Sequence, residues 1–128
     1  RDGLVTGVQT CALPISGYLD KVGEHCRRTQ EGAIRFNGET DRVYVDTEAS
    51  CSIVDSQLKR RIVIRKTGSR STVVWTPWAE KADSMGDFGT DGWRRMVCIE
   101  TANALENCVT LEPGATHRMT AEYSAEPL

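Results

Sequence analysis

Apolar and polar residues alternate along most of this chain with the two-residue period of half-buried strands. Arg42-Val43-Tyr44-Val45 alternates and is rich in β-branched and aromatic side chains. Ser52-Ile53-Val54-Asp55 repeats the pattern. Arg61 to Arg65 and Ser71 to Trp75 are separated by a connector that contains Gly68, so the pair reads as a hairpin. Ala33 to Phe36 leads into the turn dipeptide Asn37-Gly38. Further strands are expected at Met96 to Glu100 and Cys108 to Leu111. The Pro113-Gly114 turn then precedes Arg118 to Tyr123, where Met119, Ala121 and Tyr123 share one face. One short helix is expected from Ala79 to Met85, stopped by Gly86 and followed by a Gly- and Asp-rich loop to Trp93. Short strands with repeated turn signals predict an all-β fold, a sandwich or barrel. No repeat or linker divides it.

Arg1 to Ser16 breaks the pattern. Asp2 directly follows Arg1, and Thr6, Gly7, Gln9 and Thr10 interrupt the apolar residues, which does not suit a secretory signal. The stretch is also too short and polar to span a bilayer. As protein it reads at most as an edge strand. Read in codons, Val5 to Ile15 resembles the in-frame translation of an indexed sequencing-library primer. Arg1-Asp2 resembles the bases upstream of the index, Gly3-Leu4 stand where the index falls, and Ser16 is a junction codon. On this reading residues 1–16 form no domain and Cys11 carries no function. Residues 17–128 are then the C-terminal part of a single, larger domain.

Charge narrows the possible partners. The net charge is −2, and removing Arg1 and Asp2 leaves it there. A weakly acidic chain offers no field for nucleic acid or an anionic membrane. The clusters Arg27-Arg28 and Lys59-Arg60-Arg61 are surrounded by acids and read as solvated strand or loop ends. Cys26, Cys51, Cys98 and Cys108 are irregularly spaced, with no Cys-x-x-Cys pair for zinc or redox work. Cys98 and Cys108 sit in apolar runs, as buried free thiols do. A reducing, cytoplasmic setting is expected.

Candidate chemistry is sparse. Alternation places Met96, Cys98 and Glu100 on one face of their strand and Val97 and Ile99 on the other. A carboxylate closing a strand that is apolar on both faces is unusual. Partial burial would raise its pKa towards that of a general base working near neutrality, whereas a strand end simply meeting solvent would not. In Glu39-Thr40-Asp41-Arg42 two acids beside an arginine suit sugar hydroxyls, or form a turn with a surface ion pair. Trp75-Thr76-Pro77-Trp78 supplies aromatic faces for a sugar ring or for the core. His25 and His117 lie far apart in polar contexts. Phosphate loops, serine elbows and His-Glu-x-x-His are absent from the sequence.

Taken in order, seven segments resemble the C-terminal half of glucose-6-phosphate 1-epimerases (hexose-6-phosphate mutarotases) of the aldose 1-epimerase superfamily. They are Gly17 to Lys21, Gly38 to Tyr44, Ser71 to Trp78, Glu80-Lys81-Ala82, Asp87-Phe88-Gly89, Arg95 to Glu100 and Leu111 to Gly114. Two departures are visible: Thr76 stands where the family often has Asn, and the acidic or aromatic residue common near Trp93 is not matched. The resemblance implies a partial antiparallel β-sandwich, part of the family's supersandwich. It implies a small-molecule sugar phosphate as partner, no metal or organic cofactor, and a monomer when full length. Glu100 takes the role of catalytic base at the anomeric O1 hydroxyl, and Asp41 that of substrate-binding residue. A histidine, the acid at the ring oxygen, precedes the Gly-Tyr-Leu-Asp segment in the family. Here primer-like residues stand in its place, and the phosphate-holding arginines also belong to the other half. The chain on its own is therefore expected to be inactive and poorly folded. The alternatives are an epimerase of unphosphorylated sugar and a non-catalytic carbohydrate-binding module built on Trp75 or Trp78.

Overall fold

The computed structural model describes residues 8–10 and 16–128. Among the described residues nine strands and one short helix follow one another: β1 (Val8–Thr10), β2 (Ser16–Asp20), β3 (Cys26–Gln30), β4 (Thr40–Tyr44), β5 (Cys51–Asp55), β6 (Arg60–Thr67), β7 (Ser71–Thr76), α1 (Trp78–Ser84), β8 (Cys98–Ala102) and β9 (Thr120–Pro127). Short 3₁₀ turns occupy Gly92–Arg95 and Leu105–Asn107. The strands form two sheets, ordered β1-β5-β6-β9 and β3-β2-β4-β7-β8. Every pairing is antiparallel. The architecture is the all-β sandwich that the alternation predicts.

Period-two patterning sets which residues meet. Tyr18, Tyr44, Val74 and Ile99 of the five-stranded sheet pack with Cys51, Ile53 and Ile64 of the other, and Ile34 and Phe36 join them. Lys66 crosses between the sheets. Its ammonium donates to Ser69 Oγ at 3.1 Å, the Ser71 carbonyl at 2.8 Å and Thr72 Oγ1 at 2.9 Å. Burial pushes its pKa below the ordinary lysine value. The hairpin expected from Arg61 to Trp75 does not form: β6 pairs with β5 and β9 and β7 with β4 and β8, so the Gly68 connector carries the chain from one sheet to the other. Gly68 is required in it: φ is +70°, and a Cβ there would strike the Arg118 carbonyl oxygen.

Several expectations need correction. Ala33 to Phe36 makes only an isolated bridge at Ile34, although Ile34 and Phe36 are buried. Their apolarity serves side-chain packing rather than a ladder. Cys108 to Leu111 is irregular and exposed, Cys108 included. β9 forms, and its register sets Tyr123 opposite Ile64. Tyr123 nevertheless remains 61% exposed. The facing sheet stops at β8, which leaves an open groove of about 380 Å³ at that edge, lined by Ile53, Ile62, Ile64 and Tyr123 and, along the edge strand, by Val97, Cys98, Ile99 and Glu100. The primer reading falls on residues 1–16, of which 1–7 and 11–15 lie outside the described residues; Val8–Thr10 pair with β5 at a sheet edge. Among the described residues no helix is long and apolar enough to cross a membrane.

Candidate active site

The outer face of the five-stranded sheet collects the candidate residues. Directly opposed residues in an antiparallel ladder point to the same side. Asp41 opposes Trp75, and Trp75 opposes Cys98. Val43 opposes Leu19 and Val73, and Val73 opposes Glu100. Lys21, one residue beyond β2, extends the first row, its N–H donating to the Asp41 carbonyl at 2.8 Å. Two rows result: Lys21-Asp41-Trp75-Cys98 above Leu19-Val43-Val73-Glu100. All eight face away from the inter-sheet core.

Asp41 and Glu100 thus share one face, two strands and two residues apart. Strand spacing and rise put their Cα atoms about 12 Å from each other, with Trp75 and Val73 between them. Such a floor, apolar between two carboxylates, can lie under a sugar ring and accept hydrogen bonds from hydroxyls at either side. The Trp75 ring is met edge-on by Phe88 at 6.5 Å between centroids and 69° between planes. Trp78 has a different fate. It packs against the core and lies 4.8 Å from the Trp93 ring, so its faces serve packing. Arg27, opposite Leu19 at the β3 end of the second row, forks onto Glu106 at 2.7 and 2.9 Å and anchors the segment after β8. Asn107 Nδ2 donates to Asp46 at 2.9 Å close by.

The electrostatics differ at the two carboxylates. Asp41 is mostly buried, its side chain 18% exposed, with the Lys21 ammonium 3.4 Å from Oδ2. Glu39 pairs with Lys81 at 2.7 Å, and that hydrogen bond raises the lysine's pKa. Alternation divides the Glu39-Thr40-Asp41-Arg42 motif. Thr40 and Arg42 turn inward, where Arg42 lies 4.9 Å over the Tyr18 ring and donates to Gln30, and Asp41 alone of the β4 pair of charges reaches the outer face. Glu100 is exposed, with no hydrogen bond or ion pair to any described residue. The shielding expected from the flanking apolar residues is not supplied, because Val97 and Ile99 bury themselves on the opposite face. Burial, and after it the Glu100 carboxylate, raises the pKa of the Cys98 thiol. None of the four described cysteines forms a disulfide.

Neither histidine joins these rows. His25 lies in the β2–β3 turn with φ of +52°, beside the edge opposite β8. His117 Nε2 contacts the Gly68 carbonyl at 2.8 Å and Asn103 at 3.2 Å. The sequence reading missed Lys21 as a neighbour of Asp41 and Cys98 as a neighbour of Trp75. Both relations are cross-strand and need the register.

Comparison with known proteins agrees with the architecture. A family model described as aldose 1-epimerase matches residues 5–124, and so takes in the stretch that resembles a primer. A Cenchrus ciliaris protein named "Putative glucose-6-phosphate 1-epimerase" is 37% identical over 124 residues, 96% of this chain and 37% of its own length. An Escherichia coli protein of the same name is 35% identical over 91 residues, 70% of this chain and 31% of its own. The crystal structure of a "putative mutarotase" from Salmonella typhimurium superposes with a TM-score of 0.71 at 32% identity, covering 78% of this chain and 34% of that one. The chain spans about a third of the length of the relatives it matches.

Proposed function

We propose that this chain, which belongs to the aldose 1-epimerase family, forms one wall of the sugar site in an enzyme that interconverts the α and β anomers of a hexose 6-phosphate. The observation that carries the reading is the shared outer face. Asp41 and Glu100 flank Trp75 and Val73 on it, by the register of three strands. Glu100 takes the proton from the anomeric hydroxyl while an acid protonates the ring oxygen. The ring opens, the C1–C2 bond turns, and closure from the other side of the aldehyde gives the other anomer. Acid and base exchange roles on return. Asp41 accepts hydrogen bonds from neighbouring hydroxyls, and Trp75 lies under the apolar side of the ring. The acid is a histidine ahead of β2, as in the family's pattern. His25 and His117 are placed elsewhere, which supports reading the chain alone as inactive. The names of the relatives favour a phosphorylated sugar over a free one.

The test begins with the codons upstream of Gly17 at the source locus. A continuing frame with a histidine-bearing strand is expected; genomic codons reproducing residues 1–16 would overturn the primer reading. The protein at the full length of its relatives is then assayed for anomer equilibration. It should act on glucose 6-phosphate with a higher kcat/KM than on glucose. The reverse preference would make it an epimerase of free sugar. Sugar binding without turnover of either would make it a binding module.

A further inference from the structure

We infer that Lys21 is a positioning residue for Asp41, one that holds the substrate-binding carboxylate aimed across the sugar site; this rests on the reading above. The pairing is built twice. The Lys21 N–H donates to the Asp41 carbonyl at 2.8 Å, which fixes the two backbones in register one residue past the end of β2. The ammonium then lies 3.4 Å from Oδ2, over a carboxylate side chain that is 18% exposed. One oxygen of Asp41 is engaged from the side away from Trp75. Its other oxygen is left without a described partner, available to a sugar hydroxyl.

The surroundings explain why a cation is wanted. Glu39, Asp41 and Glu100 place three carboxylates around one end and one side of the outer face. When a sugar displaces water, their mutual repulsion grows as the local dielectric falls. Glu39 has its own cation, Lys81, at 2.7 Å. Lys21 does the same for Asp41. The carboxylate then has its orientation set before the substrate arrives. Lys21 itself is 45% exposed at its side chain and reaches Asp41 from the rim. It acts through Asp41 rather than on the reacting atoms.

The experiment uses the protein at the full length of its relatives, with glucose 6-phosphate as probe, and reads both binding and anomer exchange. Lys21→Met should raise KM and the dissociation constant about tenfold, as expected for a charge-assisted contact weakened but not deleted, with kcat changed much less. Lys21→Arg should recover most of the loss. In an Asp41→Asn background, Lys21→Met should have little further effect, because the partner it positions is already gone. Should Lys21→Met not fold, Lys21→Gln carries the same readings. A lower Tm with unchanged KM and binding would overturn the inference, as would losses in the two single variants that multiply independently. Binding by the wild type without anomer exchange would sink the reaction reading and still test Lys21 through affinity. Absence of both would sink the two together.

Discussion

The two faces of the five-stranded sheet use the same strands for opposite ends. On the inner face Tyr18, Tyr44, Val74 and Ile99 are buried at 9% exposure or less and hold the second sheet. On the outer face Asp41, Trp75, Cys98 and Glu100 stand in register with partial or full access to solvent. Ile99 and Glu100 are neighbours in the chain, yet one closes the core and the other is open to solvent. The difference teaches that, on the proposed reading, stability and chemistry are separable at single-residue steps. A strand period of two is enough to make them so.

Separability can be broken at several points. The largest expected effect is on the inner face: Ile99→Ala in the full-length protein should cost about 2–5 kcal/mol of stability, read as a lower denaturant midpoint with unchanged slope. A negligible loss would mean the two sheets do not rely on this contact. On the outer face, Trp75→Leu should weaken glucose 6-phosphate binding about tenfold, or about 1.4 kcal/mol, while leaving the melting temperature nearly unmoved. A large fall in melting temperature with affinity kept would return Trp75 to the core.

The two thiols sharpen the contrast between exposed loop and site face. Cys108 is exposed, whereas Cys98 is half-buried with its pKa raised by burial and then by Glu100. A raised pKa means less thiolate at any given pH, so iodoacetamide should label Cys108 before Cys98. Bound sugar phosphate should slow Cys98 alone. Equal rates would contradict the placement of β8. The smallest effect concerns Lys66. Its pKa is lowered on folding, so the unfolded chain binds that proton more tightly, and stability should rise with pH between the lowered value and the ordinary 10.5. Lys66→Met should remove that rise in urea titrations run across the window. Identical pH profiles would show that the ammonium is not desolvated.

Legibility in the sequence followed the same division. Strands with one apolar face, such as Arg61 to Arg65 and Ser71 to Trp75, declared themselves, as did α1 before Gly86. β3 did not: Cys-Arg-Arg-Thr-Gln is an edge strand with three exposed central residues and no apolar period to detect. β2 hid in part because Gly17 contributes no side chain to the alternation and its neighbour Ser16 was set aside with the first residues. Cys108 to Leu111 showed the converse failure, an apolar run that finds no strand partner among the described residues. For the site, Glu100 and Asp41 could be singled out by residue type, and the resemblance assigned their roles. Their common face could not be read, because it depends on β7 lying between β4 and β8. The exposure of Glu100 was the alternative left open, a strand end meeting solvent.

The central claim is that Glu100 serves the reaction and not the fold. Anomer exchange of glucose 6-phosphate, followed by NMR on the full-length protein and its Glu100→Gln variant, tests it most directly. The account predicts a loss of about a hundred- to ten-thousand-fold in exchange rate, with sugar binding and melting temperature preserved. Exchange at the wild-type rate, or a loss that only accompanies unfolding, would contradict it.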